Sequence, residues 1–160
     1  MPPVQIPLDV RRTWYIMCLL SLCHSCQNML IITLLGKTIP WRRAAWTPYG
    51  RAYDSQRVEK QSMIAAILNG IGHHGLELYI FGHAPVIVEL TFTFSKISDL
   101  KRKDVDNCIK FVLDALQMGD IFYNDNQVYD VRGKKVLGLR DSTEIPIYRR
   151  EMIIDGGDFC

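Results

Sequence analysis

No apolar run in this chain is long enough to cross a bilayer, which takes about 20 residues; the candidates are TWYIMCLLSLC at 13–23 and MLIITLL at 29–35. Cysteine is sparse and scattered: Cys18, Cys23, Cys26, Cys108 and Cys160 form an odd set, which excludes a disulfide framework. Cys23 and Cys26 have CxxC spacing, but no second CxxC follows and His73, His74 and His83 are not spaced as zinc ligands, so the thiols read as reduced. Net charge is nearly absent too. Nineteen Lys and Arg against seventeen Asp and Glu leave +2, which excludes a histone-like or acidic-tail protein. There is no internal repeat and no low-complexity segment. What is present is 160 residues, 48% hydrophobic and 22% charged, the make-up of one ordinary globular domain.

The small net charge conceals opposed blocks. Lys37 to Lys60 carries +4, Lys96 to Lys103 +3, Asp104 to Asp130 −5, and Arg132 to Arg140 +4. An acidic centre between basic stretches suits a metal-dependent enzyme acting on a polyanion, because phosphates require cations and a metal requires carboxylates. Solvated faces with incidental ion pairs are the plain alternative.

Hydrophobic periodicity predicts the elements. Met29–Leu35 is short, β-branched and stopped by Gly36, hence a buried strand. The stretch 36–50 carries Pro40, Pro48 and Gly50 and reads as loop, its cations alternating with Trp41, Trp46 and Tyr49, which either stack on bases or pack beneath the loop. Asp54 or Ser55 caps a helix to about Asn69, ended by the glycines at 70–75; His73 and His74 read as surface loop residues. Val86 to Phe94 alternates strictly, the signature of a half-buried strand. Ser95 to Lys103 reads as a basic loop and Val105 to Met118 as a helix stopped by Gly119. After a turn at 124–126, a strand starts at Gln127, a hairpin tip is expected around Gly133, and Thr143 to Tyr148 makes a weak last strand.

Residues 1–28 read as an N-terminal extension, 29–150 as the domain and 151–160 as a frayed tail. Arg11-Arg12 before the apolar run resembles a signal-peptide core, but no small-x-small cleavage site follows, so the segment is read as an extension or the product of an upstream start.

The chemistry-bearing pattern is Asp104-Val105-Asp106-Asn107, two carboxylates directly after three cations at the start of a helix. In an extended segment they point the same way and could share a cation such as Mg²⁺, which takes one or two protein carboxylates. Asp125 could close the site if the helix and a return strand bring its turn back over a helix about 20 Å long. Each acid also has an ordinary reading: Asp106 or Asn107 as a helix cap, Asp106 with Lys110 as an i,i+4 pair, Asp125 as a turn residue, Asp114 and Asp120 as surface or helix-end charges.

The runs KRKDVDNCIKFVLDAL and NDNQV, with LLGKTIPWRRAAW, GRAYD and PVIVELTFTF upstream, resemble the RusA-type Holliday junction resolvases over residues 30–148. The resemblance implies an α+β fold: a single domain with a mixed β-sheet and two main helices, preceded by the extension. It implies a cytoplasmic, structure-selective endodeoxyribonuclease that resolves four-way DNA junctions with Mg²⁺ or Mn²⁺, acting as a homodimer and without a membrane. Matched position by position, Asp104, Asp106 and Asp125 correspond to the metal-binding acids and Lys110 to the catalytic lysine. Arg42, Arg43, Lys101, Arg102, Lys103 and Lys135 are then the cations expected to hold DNA. Asn124 stands where many relatives carry an Asp. The alternative is a catalytically inactive DNA-binding relative of phage origin.

Overall fold

Strict alternation over VIVELTFTF produces the central strand β5, Val86–Phe94, with Val86, Val88, Leu90, Phe92 and Phe94 all buried. The computed structural model describes residues 15–16, 29–71 and 81–150. The remaining elements are β1 (Tyr15–Ile16), β2 (Met29–Leu35), β3 (Ala45–Trp46), β4 (Ala52–Tyr53), α1 (Arg57–Ile71), α2 (Ile97–Arg102), α3 (Val105–Met118), a 3₁₀ turn (Asp125–Gln127), β6 (Val128–Leu137) and β7 (Ser142–Arg149). Five strands form one sheet in the order β1-β2-β7-β5-β6, and β3 and β4 pair separately. The fold is α+β, with a mixed sheet in which only β5 and β6 run parallel. Two residues of the presumed extension join it: Tyr15 and Ile16 pair with Leu35 and Leu34 of β2. The expected frayed tail, 151–160, and His73 and His74 lie outside the described residues.

The core forms where that sheet meets α1 and α3. Met63 and Ile67 of α1 and Phe111, Val112 and Leu116 of α3 pack with Leu30, Ile32, Leu34, Ile145 and Ile147. Each such side chain removed from water contributes about 1.5–3 kcal/mol. Among the described residues no helix is long and apolar enough to cross a membrane.

Three local expectations give way to long-range contacts. The weak last strand is the middle strand β7, between β2 and β5, with Ile145 and Ile147 fully buried. Pro146 has no N–H to donate, and the β5–β7 ladder breaks there, between Val88↔Ile147 and Thr91↔Glu144, while the β2 side continues through Ile31↔Pro146. Gly133 is not a hairpin tip. β6 runs straight through it, because α3 presses onto the strand there: a Cβ at Gly133 would lie 2.5 Å from Ile109 Cδ1. The basic loop before Asp104 contains the one-and-a-half-turn helix α2, which has no buried residue and so no apolar signature.

Asp114 is not a free surface charge. The ammonium of Lys60, buried in α1, bonds Asp114 at 2.9 Å and Asp54 at 3.0 Å. Burial alone would depress the Lys60 pKa, but hydrogen bonds to Asp114 and Asp54 outweigh it and raise it above 10.5. Asp54 is held below 3.8, chiefly by the Gln56 N–H and then by Lys60. The raised lysine contributes stability that is complete below its unfolded pKa and is lost as pH rises through the folded one. The depressed carboxylate contributes stability that is complete above its unfolded pKa and is lost as pH falls through the folded one. The cluster therefore stabilises fully between about pH 4 and pH 10. Lys60→Met is expected to cost about 1–3 kcal/mol at pH 7, because both carboxylates remain partly hydrated, and to flatten both limbs of a Tm-against-pH curve. Unchanged limbs would remove the cluster from the stability account.

Candidate active site at the start of helix α3

A parallel β5–β6 pair needs a crossover, and here α2 and α3 supply it. In doubly wound parallel sheets ligands bind beyond the carboxyl ends of the strands, and the one parallel pair of this mixed sheet has an equivalent end. Asp104 sits there, as the extended residue between α2 and α3 with φ −76° and ψ 136°. Its carboxylate makes no capping bond to the helix; its Oδ2 lies 3.5 Å from the Asn107 amide nitrogen. Asp106 lies one residue inside the helix, so the two acids flank its first turn instead of sharing an extended segment. Both are exposed, at the end of α3 where backbone N–H groups favour negative charge.

Three elements are bonded together around this turn. Lys135 of β6 donates to the carbonyls of Leu100 and Lys103, both at 2.7 Å, which pins the backbone leading into Asp104. Lys103 donates to Thr38 O at 2.6 Å. The Trp41 N–H donates to Asn107 O at 2.8 Å, so the loop after β2 is stitched to the first turn of α3. Gln56, buried at the start of α1, accepts from the Arg42 N–H and donates to Pro40 O, fixing the same loop from the other side. Cys108, buried behind the turn, has its thiol pKa pushed up to about 11 by desolvation, leaving it protonated and unreactive.

The cations divide into two kinds. Arg42, Arg43, Lys101 and Arg102 are exposed, with Arg102 also paired to Asp99. Lys103 and Lys135 are half-buried and donate to backbone carbonyls, Lys135 to those of the segment leading into Asp104. Lys110 is exposed, with its ammonium 3.6 Å from the Trp41 ring centroid instead of in the i,i+4 pair with Asp106 that the spacing permits. Trp41 packs beneath the loop, whereas Trp46 and Tyr49 stand in solvent. The positioning roles of Gln56, Asn107 and Trp41 leave no sequence signal, since their partners are far away in the chain.

Asp125 is not brought to Asp104 and Asp106 within one chain. It lies in the turn after α3, next to the start of β6, and β6 starts beside Val86, the first residue of β5. Asp104 lies beyond the other end of β5, where Lys135, paired with Phe92, holds residue 103. Fourteen residues of α3 and six strand steps of β5 both measure about 20 Å. The sequence expectation fails because the return strand follows Asp125 instead of preceding it. Among the described residues no group of three or more His, Cys, Asp or Glu side chains converges as a metal would need.

The turn carrying Asp125 is nonetheless built firmly. Gln127, buried, accepts from the N–H groups of Tyr123 and Asn124 and donates to Gly82 O at 2.6 Å and Ala84 O at 3.0 Å. The glutamine of the NDNQV run is thus a turn-fixing residue. A shallow open depression of about 500 Å³, lined by Lys60, Asp114, Gln117, Met118 and Tyr123, lies towards this end of α3, away from the carboxylate pair.

A model of the family described as endodeoxyribonuclease RusA matches residues 37–148, from the loop after β2 to the end of β7. A comparison with curated proteins finds no match. The matched span is well over half of the chain and contains both carboxylate segments and the loop stitched to them: the chain belongs to the endodeoxyribonuclease RusA family.

Proposed function

We propose that this chain is a structure-selective endodeoxyribonuclease that resolves four-way DNA junctions by metal-dependent phosphodiester hydrolysis. The observation that supports it best is the exposed Asp104 and Asp106 pair, unspent on capping, at a helix start flanked by the exposed Arg42, Arg43, Lys101 and Arg102, in a chain of this family. The donor set suits a hard divalent cation: carboxylate oxygens in a hydrated place, with no thiolate or imidazole among them. Asp104 and Asp106 would hold Mg²⁺ or Mn²⁺, which when bound supplies Lewis acidity and an activated water. Lys103 and Lys135 keep Asp104 in place through the backbone. Lys110, one turn beyond Asp106, holds or stabilises the scissile phosphate, and Trp41 fixes where its ammonium stands. The four exposed cations contact phosphates away from the cut. If all four do so, the logarithm of the binding constant falls against log salt with a slope of about −3 to −4.

A second reading, a DNA-binding relative without activity, is favoured by one observation, the roughly 20 Å between Asp125 and the other two acids along one chain. Titrating Mg²⁺ and Mn²⁺ against a synthetic four-way junction and a linear duplex of the same sequence separates the two. The nuclease reading expects paired cuts in the junction, absent in chelator. Junction binding without product at every divalent concentration would establish the second reading.

A further inference from the structure

Three large aromatic side chains stand in water on one short hairpin. β3 and β4 form a two-stranded sheet of their own, and Trp46, Tyr49 and Tyr53 on it are 71%, 91% and 51% exposed. A single exposed ring is ordinary, whereas three within eight residues form a patch that adds nothing to the core and marks a contact surface. The exposed cations Arg42, Arg43 and Arg51 are interleaved with them.

The hairpin is a blade with a ring on each side and one at its tip. Ala45 lies opposite Tyr53, and Trp46 opposite Ala52. Residues directly opposite share a face and neighbours along a strand alternate, so Trp46 and Tyr53 lie on opposite faces, each across from an alanine too small to cover it. Tyr49 sits in the connecting turn, which Thr47 closes. The Thr47 N–H donates to Arg51 O at 2.8 Å, its hydroxyl accepts from the Arg51 N–H at 3.1 Å, and its carbonyl accepts from the Gly50 N–H at 3.0 Å, with Gly50 in the left-handed region at φ 74°. At the base, Gln56 holds Pro40 and Arg42 on one side, while Asp54 accepts from the Gln56 N–H at 2.8 Å and from Lys60 on the other. The rings are therefore carried on a braced support.

Rings interleaved with cations select nucleic acid, and their presentation selects unpaired bases. Arginines meet phosphates, and an aromatic face binds a base by stacking, for which an intact duplex leaves no room. Side chains that read a duplex groove instead reach base edges with polar or small groups. The blade also stands beside the carboxylate turn, because Trp41 at its root bonds Asn107 O and carries the Lys110 ammonium on its ring. From Trp41 to Trp46 is five residue steps, at most about 17 Å, or about five nucleotides at 3.4 Å each. A base on Trp46 lies within a few nucleotides of a phosphate held by Lys110.

We propose that the β3–β4 hairpin is a stacking blade for unpaired DNA bases, with Trp46 and Tyr53 each taking a base on one face and Tyr49 leading at the tip, and that the bases it takes are those at the branch point of the substrate. The assignment to the branch point rests on the proposed function; the stacking itself does not. Because every base has a π-face, such a blade selects the shape of the DNA and tolerates any sequence.

The test is binding in chelator, at one salt concentration, to a single strand of about 20 thymidines and to an abasic strand of the same length, which has the phosphates without the bases. The wild-type chain is expected to hold the thymidine strand at least tenfold more tightly. Trp46→Ala loses about fivefold or more on the thymidine strand and less than twofold on the abasic one, and Trp46→Phe restores the affinity. The thymidine strand quenches wild-type tryptophan emission, and that quenching is absent in Trp46→Phe. Equal wild-type affinity for the two strands, or an equal loss on both in Trp46→Ala, overturns the stacking role. For the branch point, Tyr49→Ala is expected to weaken four-way junction binding about fivefold and linear duplex binding less than twofold, and an equal loss on both overturns that assignment. A chain that cuts junctions with Mg²⁺ but does not distinguish thymidine from abasic strand sinks the blade and leaves the nuclease reading standing. One that stacks thymidines on Trp46 but never cuts does the reverse.

Discussion

Asp106→Asn is expected to slow junction cleavage about a thousandfold while changing junction affinity by less than about threefold, as measured by single-turnover cleavage and gel shift at one salt concentration. The separation follows from position. Asp106 is exposed in the first turn of α3 and forms no ion pair with Lys110, whose ammonium rests on Trp41, so its replacement breaks no contact of the fold. The amide keeps size and polarity but gives up the charge that a divalent ion requires, and several kcal/mol of transition-state stabilisation correspond to about three powers of ten in rate. The cations proposed to contact phosphates away from the cut are elsewhere, on the loop after β2 and on α2, so binding is expected to persist. Cleavage reduced less than about fivefold would remove Asp106 from the site. An equal loss of binding would make it a structural residue.

Gln127→Ala has the largest expected effect on stability, about 2–4 kcal/mol, seen as a fall in Tm of roughly 6–12 °C. The side chain is buried and satisfies two N–H groups, of Tyr123 and Asn124, and two carbonyls, of Gly82 and Ala84. Alanine leaves all four to whatever water can enter, and the cost of an unmet buried group exceeds the gain from a met one. Gln127→Glu should not rescue it, since a carboxylate would then face two carbonyl oxygens. A loss below about 1 kcal/mol would show that water replaces the amide at little cost.

What was legible in the sequence is what local pattern determines. β2, β5 and α3 have the bounds that alternation and helical periodicity predict, because each buries one face and its own residues say which. β7 reads as a weak strand because Glu144 and Pro146 interrupt its apolar pattern; its central place is fixed by β2 and β5, about fifty residues or more away in the chain. Gly133 reads as a turn because glycine has two uses, and the one that applies here, close approach of Ile109, involves a residue 24 positions earlier. The same division runs through the site. The place of Asp104 and Asp106 at a helix start is legible from the residues around them. Lys103 and Lys135 show only their charge in the sequence, and in the fold they donate to backbone carbonyls. The distance to Asp125 depends on the order helix, turn, strand, which side-chain chemistry does not encode.

The stitch between Trp41 N–H and Asn107 O has a thermodynamic meaning. It joins the loop of Arg42 and Arg43 to the turn between Asp104 and Lys110, and Lys103 doubles it at Thr38. Under the proposed function, the groups that feel the substrate backbone and those that hold the cation move as one body, so neither binding event is independent of the other. Whatever factor DNA adds to cation affinity, the cation must return to DNA affinity. The free protein can then hold its cation loosely and still be fully loaded when a junction arrives, an ordering of events written into one backbone hydrogen bond and one lysine bond to a backbone carbonyl.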